Sequence, residues 1–416
     1  MEAGAFIEIR FGGLKMNEIV IVSALRTPFG RFGGSLKEYN PVDLGAIVMR
    51  EVMARCGYDG LVDDIFWGVG DTASFKDVYT PVIARQTLIK AGLSPETPSC
   101  SLDKACVSAM SAIRLGALTI LAGEADVVIA GGVTTFSQMP LVVRNLRFAG
   151  HRMGPVAMED PLFELGYKDF APVAVDAGNV ALKHGIGRDE QDEWAALSHR
   201  RYGEAHAAGK LKEEMLPLTI PQKKGEPVTL EIDEQYRPDI SVDKLAKLAP
   251  IYGSPTCTAG NSPGLNDGAT AVLLMNKKKA LALGLPILAT VIECVSVALE
   301  PQLLVEAPAK AMRTALQKAA MKVDDLKLLE INEAFAAVTL VSSKILADGD
   351  SGKLKDIRKR LNVNGGAIAI GHPNTASGGR IVMTMINELR RRGGGYGAAA
   401  ICGGLAQGDA IIVRVD

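Results

Sequence analysis

The sequence predicts an α/β protein, duplicated into two similar halves around a largely buried sheet. Short apolar runs of strand length alternate with Ala- and Leu-rich stretches of helical period, the pattern of helices packed on a buried sheet. Glycine supplies 44 of 416 residues, above the average of about 7%, which implies many tight turns and close backbone approaches. The chain also resembles itself at a nearly fixed offset. At roughly 150 residues per domain, it is long enough for two or three domains and for a core that needs neither disulfides nor a structural metal.

Taken in order, Ile19–Ser23 reads as a buried strand, and residues 42–56, 80–91 and 106–122 as helices. Val127–Ala130 reads as the next strand. From about 140 to 255 the alternation breaks into irregular Pro-, Lys- and Glu-containing sequence, with one long polar helix at Asp189–Ala208. It resumes with helices over 308–321 and 333–347 and strands at Leu326–Ile331, Ala398–Cys402 and Ala410–Val415. The resulting division is a first half over 17–140 and 255–285, an inserted region over 141–254, and a second half over 286–416. Superposing Ala125–Val133 on Gly397–Leu405 gives an offset of 272; superposing Ala112-Ile113-Arg114 on Gly378-Gly379-Arg380 gives 266 and places Cys106 on His372. The difference fits in the Gly-rich turn at Gly393–Gly397. The two halves are then related by a pseudo-dyad.

Composition excludes several function classes. With 46 Lys+Arg against 47 Asp+Glu, 22% charged and 48% hydrophobic residues, neither disorder nor a nucleic-acid-coating surface is expected. No run approaches the roughly 18 apolar residues of a membrane span, the most apolar segments (125–133 and 398–402) being strand-sized, so no membrane partner is expected. The six cysteines (Cys56, Cys100, Cys106, Cys257, Cys294 and Cys402) are scattered, with no C-x-x-C pair, and read as a reducing cytoplasm. Residues 1–15 carry two Glu and no Ser or Thr, unlike a secretory or mitochondrial presequence; segment 1–16 is read as an N-terminal extension.

Four segments place a reactive side chain in a turn. Cys106 opens a helix, VSAMSAIRLGAL, whose positive end favours thiolate and lowers the thiol pKa; as a bare cysteine it is equally a small buried hydrophobe. His372 lies in a Gly-His-Pro turn that holds its imidazole rigidly, as a base for a nearby thiol requires, or as a satisfied core histidine. His184, His199 and His206 stand in polar, helix-like sequence and are expected to face solvent. His199 and His206 share a helix face without a third ligand, so no metal site is expected. Cys402 ends an apolar strand and enters Gly403-Gly404, a turn with open backbone N–H groups. Asn332, before Glu333, would be explained structurally as a helix N-cap.

LDKACVSAM, INEAFAAV, NGGAIAIGHPNTASGGR and AICGGLAQG, in this order, resemble the thiolases, and the likeness runs from IVIVSALRTPFG (Ile19–Gly30) to the C-terminus. The resemblance implies the thiolase fold: two βαβαβαββ halves in five layers, α-β-α-β-α, with an inserted loop region that holds coenzyme A. It implies Cys106 as the acylated nucleophile, His372 as its base, and Cys402 as the acid/base that deprotonates the α-carbon of acetyl-CoA. His372 and a water on Asn332 would stabilise the enolate, and the N–H groups of Cys106 and Gly404 the thioester oxyanion. Arg237, Ser262 and Phe335 would contact CoA. The implied reaction makes or cleaves 3-ketoacyl-CoA through an acyl-cysteine, with acetyl-CoA and CoA as substrates and no tightly bound cofactor. A homodimer or homotetramer is implied as well.

Departures from the family pattern are Pro172 for a loop histidine, Asp176-Ala177-Gly178-Asn179 for Thr-Ala-Glu-Asn, and Pro263 for a serine. Asn374-Thr375 replaces an aliphatic-Gly pair, Ala109 a Gly or Ser, and Leu405-Ala406 two glycines. The rival readings are a degradative thiolase of longer or unusual chains, a condensing enzyme on acyl carrier protein, and a non-catalytic acyl-CoA-binding protein. A condensing enzyme would lack the second cysteine. Gly352-Lys353 is followed by Leu354, so no phosphate loop ends there.

Overall fold

A computed structural model describes all residues except 1–9, 12–13, 16, 71–81, 144–145, 164–166, 168 and 223. The extension read at 1–16 therefore lies outside the described residues, apart from the paired Arg10–Phe11 and Leu14–Lys15. So do residues 80–81 of the helix expected over 80–91.

The first half runs β1 (Ile19–Arg26), α1 (Pro41–Ala54), β2 (Asp64–Val69), α2 (Ile83–Ala91), β3 (Ser99–Leu102), α3 (Ser108–Ala122) and β4 (Val127–Thr135). After an insertion carrying α4 (Val173–Lys183) and α5 (Arg188–Ala207), it closes with β5 (Asn266–Asn276). Each boundary has a local cause. Asn40 caps α1 by accepting from the Asp43 N–H, and Pro41 supplies the fixed φ of a first helical residue. Helix α3 stops at Gly123, which takes the left-handed conformation at φ 79°.

The second half repeats the order: β6 (Ala289–Ala298), α6 (Ala307–Lys318), β7 (Leu326–Ile331), α7 (Ala336–Ala347), α8 (Ser351–Arg360), α9 (Ser377–Arg391), β8 (Gly395–Gly403) and β9 (Gln407–Val415). The counterpart of β3 is only a bridge from Leu361 to Leu329 on β7. The strands lie in the order β7-β8-β9-β6-β1-β5-β4-β2-β3. Read outward from the centre, each half has the same succession of equivalents, and among the described residues the strands of the two halves pair only where Ala289 meets Ile21 and Thr290 meets Val20. That mirrored order is the pseudo-dyad.

Helices α3 and α9 lie side by side between the two half-sheets, and each touches strands of both. Their apolar faces, including Ile113, Ile381 and Met385, form one core with Val128, Ile401 and Ile411. Helices α1 and α2 cover the outer face of the first half-sheet, and α6 and α7 that of the second, over separate cores. Five layers result. Glycine makes the central layer possible: a Cβ on Gly378 of α9 would lie 2.5 Å from the Met110 backbone nitrogen of α3.

Strand β4 admits the turn before α9 in the same way, since a Cβ on Gly132 would stand 2.2 Å from the Thr375 carbonyl oxygen. Backbone cannot yield as a side-chain tip can. Gly132→Ala is expected to lower unfolding free energy by about 1–3 kcal/mol, the usual cost of overpacking a core. Urea denaturation measures it, and an unchanged midpoint would contradict the packing described.

Four expectations are corrected. Helices α3 and α9 have the same length and start 269 residues apart, at Ser108 and Ser377, while β4 and β8 start 268 apart. The offsets of 266 and 272 were thus slipped in opposite directions, because Ala- and Gly-rich segments match almost equally well one turn away. Cys106 corresponds to Thr375 and not to His372. Helix α4 falls where irregular sequence was expected; its buried face is carried by Ala174, Ala177, Gly178, Val180 and Ala181, mostly too small to signal periodicity. Helix α7 begins at Ala336 and not at 333. Finally, Ala105–Ala122 is long and apolar enough to cross a membrane by length and composition, yet it is the buried helix of the central layer.

Candidate active site

Cys106 sits in the tight turn Ala105–Val107 between β3 and α3. The turn is strained, with Ala105 left-handed at φ 50°, and three contacts hold it. Asp103 Oδ1 accepts from the Ala105 N–H at 2.8 Å; Ser108 Oγ accepts from the Lys104 N–H at 2.8 Å and donates to the Ala105 carbonyl at 2.7 Å. Lys104 Nζ reaches across to the buried Asp409 on β9 at 2.7 Å, so the Cys106 turn of one half is fastened to a strand of the other.

His372 follows Gly371, whose φ of 112° only glycine adopts without strain. Its N–H donates to Asn266 Oδ1 at 2.8 Å, and Asn266 Nδ2 donates to the Gly30 carbonyl at 3.0 Å, which ties the turn to β5. His372 Nε2 lies 3.2 Å from Cys106 Sγ. On the other side, Nδ1 lies 2.6 Å from Ser377 Oγ, which donates its own proton to the Pro373 carbonyl at 3.0 Å. Nδ1 is thus held between the Ser377 hydroxyl and the Asn332 amide, which fixes the ring and turns Nε2 toward the thiol.

Asn332 is fully buried at the end of β7, its Nδ2 3.4 Å from His372 Nδ1 and its Oδ1 accepting from Arg380 Nη2 at 3.3 Å. It is no N-cap, because α7 starts after Phe335. Arg380 also reaches Glu330 at 3.3 Å. The neighbouring Glu333 accepts from Trp194 Nε1 (2.8 Å), Ser198 Oγ (2.8 Å), Asn362 Nδ2 (3.0 Å) and the Ile368 N–H (3.1 Å), which pins the NEAF turn.

Cys402 is buried at the end of β8, where burial first and the nearby Cys106 second push its thiol pKa up. The strand then packs directly on the Cys106 turn: a Cβ on Gly403 would stand 2.9 Å from Val107 and 3.0 Å from the Lys104 carbonyl oxygen. Beyond Gly404 the chain turns through Leu405 and Ala406, left-handed at φ 55° and 59°. These are the two positions where the family pattern has glycine. Cys106, His372, Asn332, Cys402 and Gly404 therefore come to one place.

The electrostatics correct the expectation of a lowered thiol pKa. Burial pushes the Cys106 thiol up to about 12, and burial together with Arg380 pushes the His372 imidazole down to about 3. Removing a thiolate from water here costs more than the helix end returns, so the pair rests as neutral thiol and neutral imidazole. Because the imidazole pKa is depressed, its base form persists as pH falls; single-turnover acylation of Cys106 by acetyl-CoA is expected to show no acid limb between pH 5 and 8. A limb centred near the ordinary histidine value would contradict this.

The CoA-contact candidates are less closely grouped. Ser262 is buried with its Oγ unpartnered, and Asn261 accepts from the Ala336 N–H at 2.9 Å, which brings Ser262 beside Phe335. Arg237 is exposed elsewhere on the insertion, its N–H donating to His199 Nδ1 at 3.2 Å. His199 is 2% exposed and not solvent-facing, because the insertion covers the outer side of α5. His206 stacks half-buried on Tyr202, and His184 Nε2 lies 2.9 Å from Glu306. Among the described residues, no group of three or more His, Cys, Asp or Glu could hold a metal ion. Sequence reasoning missed Ser377 and Arg380; a hydroxyl five residues after a motif histidine was the available signal for Ser377.

Residues 19–278 match the family Thiolase, N-terminal domain, and residues 285–415 match Thiolase, C-terminal domain. The chain belongs to the thiolase family. This thiolase is 42% identical, over 95% of its length and 99% of the other's, to an acetyl-CoA acetyltransferase of Chromobacterium violaceum. It is 36% identical, over 96% and 100%, to a beta-ketoadipyl-CoA thiolase of Acinetobacter baylyi. The human mitochondrial 3-ketoacyl-CoA thiolase solved in complex with CoA superposes at a TM-score of 0.88, with 34% identity over 96% of this chain and 98% of that one. The chain is an acyltransferase of this family.

Proposed function

We propose that this thiolase is an acetyl-CoA C-acetyltransferase that makes or cleaves 3-ketoacyl-CoA, with acetyl-CoA and acetoacetyl-CoA as its substrates. The observation that carries the reading is His372 Nε2 lying 3.2 Å from Cys106 Sγ, with the second thiol, Cys402, buried beside them. Cys106 attacks an acyl-CoA thioester as its proton passes to His372 Nε2. The oxyanion is held by the N–H groups of Cys106 and Gly404, and CoA leaves with the proton from His372. Cys402 then passes its proton to the freed His372 and, as thiolate, removes a proton from the α-carbon of acetyl-CoA; the enolate, stabilised by protonated His372 and a water on Asn332, attacks the acyl carbonyl and expels the Cys106 thiolate, which takes the proton back from His372. Cleavage runs the same steps backwards. CoA is the substrate throughout, held by the insertion with Ser262, Phe335 and Arg237.

The relatives named acetyl-CoA acetyltransferase support the short-chain assignment. A degradative 3-ketoacyl-CoA thiolase is the second reading, favoured by the beta-ketoadipyl-CoA relative and by the altered residues Pro172, Asp176 and Pro263. Thiolysis rates against 3-ketoacyl-CoAs of graded chain length distinguish them, and no cleavage at any length would overturn both. The same reading carries a cytoplasmic homodimer or homotetramer, which sedimentation of the purified chain and fractionation of the source cells would test.

A further inference from the structure

Tyr167 belongs to none of the groups assigned above, yet its phenol reaches them. A Cβ on Gly404 would meet Tyr167 Oη at 2.1 Å and Ala105 Cβ at 3.2 Å, so the hydroxyl fills the space left by the missing side chain, against the nucleophile turn. Burial, Cys106, Asp103 and Cys402 together hold the phenol up to about 12, which places it within electrostatic reach of both sulfurs. The same residue lines a cavity with Phe170, Val173, Asp176, Leu304 and Leu405. That cavity measures about 20 Å³, room for about one water molecule.

We infer that Tyr167 is the chain-length determinant of the site, its ring closing the acyl end so that only the shortest 3-ketoacyl chains fit while it stays in place. The inference rests on the thiolase reaction proposed above. An acyl group on Cys106 that extends past Gly404 meets the phenol first. Beyond it lies space for one small group, with Asp176 among the lining residues, too little room for an alkyl tail. Tyr167 is 38% exposed, so shortening it opens the site without emptying a core, and the variants are expected to unfold at the wild-type temperature.

Thiolysis by the full chain tests this with acetoacetyl-CoA and 3-ketooctanoyl-CoA on wild type, Tyr167→Phe and Tyr167→Ala. Wild type and Tyr167→Phe are expected to favour the four-carbon substrate in kcat/KM by at least about tenfold, the scale of discrimination a closed apolar pocket achieves. Tyr167→Ala is expected to raise kcat/KM for the eight-carbon substrate by about tenfold or more and to leave the four-carbon value within about threefold. Equal use of both chains by wild type, an unchanged ratio in Tyr167→Ala, or opening by Tyr167→Phe alone would overturn the inference. Cleavage of neither substrate by wild type would instead overturn the reaction, and the chain-length role with it.

Discussion

Cys106→Ser is expected to lower acyl-enzyme formation and thiolysis by on the order of 10⁴-fold or more, while the protein stays folded. The substitution is nearly isosteric, and the turn that holds residue 106 is fastened by Asp103, Lys104 and Ser108, none of which depends on the sulfur. The chemistry is what fails. Burial already holds the thiol to about 12 and weakens the imidazole to about 3; a hydroxyl gives up its proton still less readily, and His372 is too weak a base to take it. Intact mass after incubation with acetyl-CoA measures the acyl adduct. An adduct forming at the wild-type rate would move the nucleophile elsewhere.

Cys402→Ser separates the two half-reactions. Acylation of Cys106 by acetyl-CoA is expected to survive, because Cys106 and His372 are untouched, whereas condensation falls by about 10³-fold, within the range one positioned acid/base supplies. Exchange of the acetyl-CoA α-hydrogens with deuterated water should fall in parallel. If acylation and condensation fell together, Cys402 would be supporting the nucleophile turn and not acting on the α-carbon. Gly403 packed against Val107 is the contact through which that would happen.

Much of this was legible in the sequence because motif residues carry their own backbone requirements. Gly371 before His372 and the glycines after Cys402 announce turns, and the apolar runs leading into Asn332 and Cys402 announce buried strands. What was not legible depended on partners distant in sequence. The protonation of Cys106 is decided by how completely the second half covers it, and local sequence around residue 106 does not record that. His199 reads as exposed from its polar neighbours and is buried because the insertion folds over α5. The repeat was visible but its register was not, since alanine and glycine distinguish poorly between adjacent turns. Tyr167 carries no motif; only its approach to Gly404 reveals it.

The contact of Gly378 with the Met110 backbone makes the spacing of two rigid rods a ruler for the chemistry. Cys106 Sγ and His372 Nε2 are carried in the turns just before α3 and α9, so their separation is inherited from how closely those rods can lie, one in each half. A half expressed by itself would bring either Cys106 or His372, never both, and the proposed reactivity belongs to the seam.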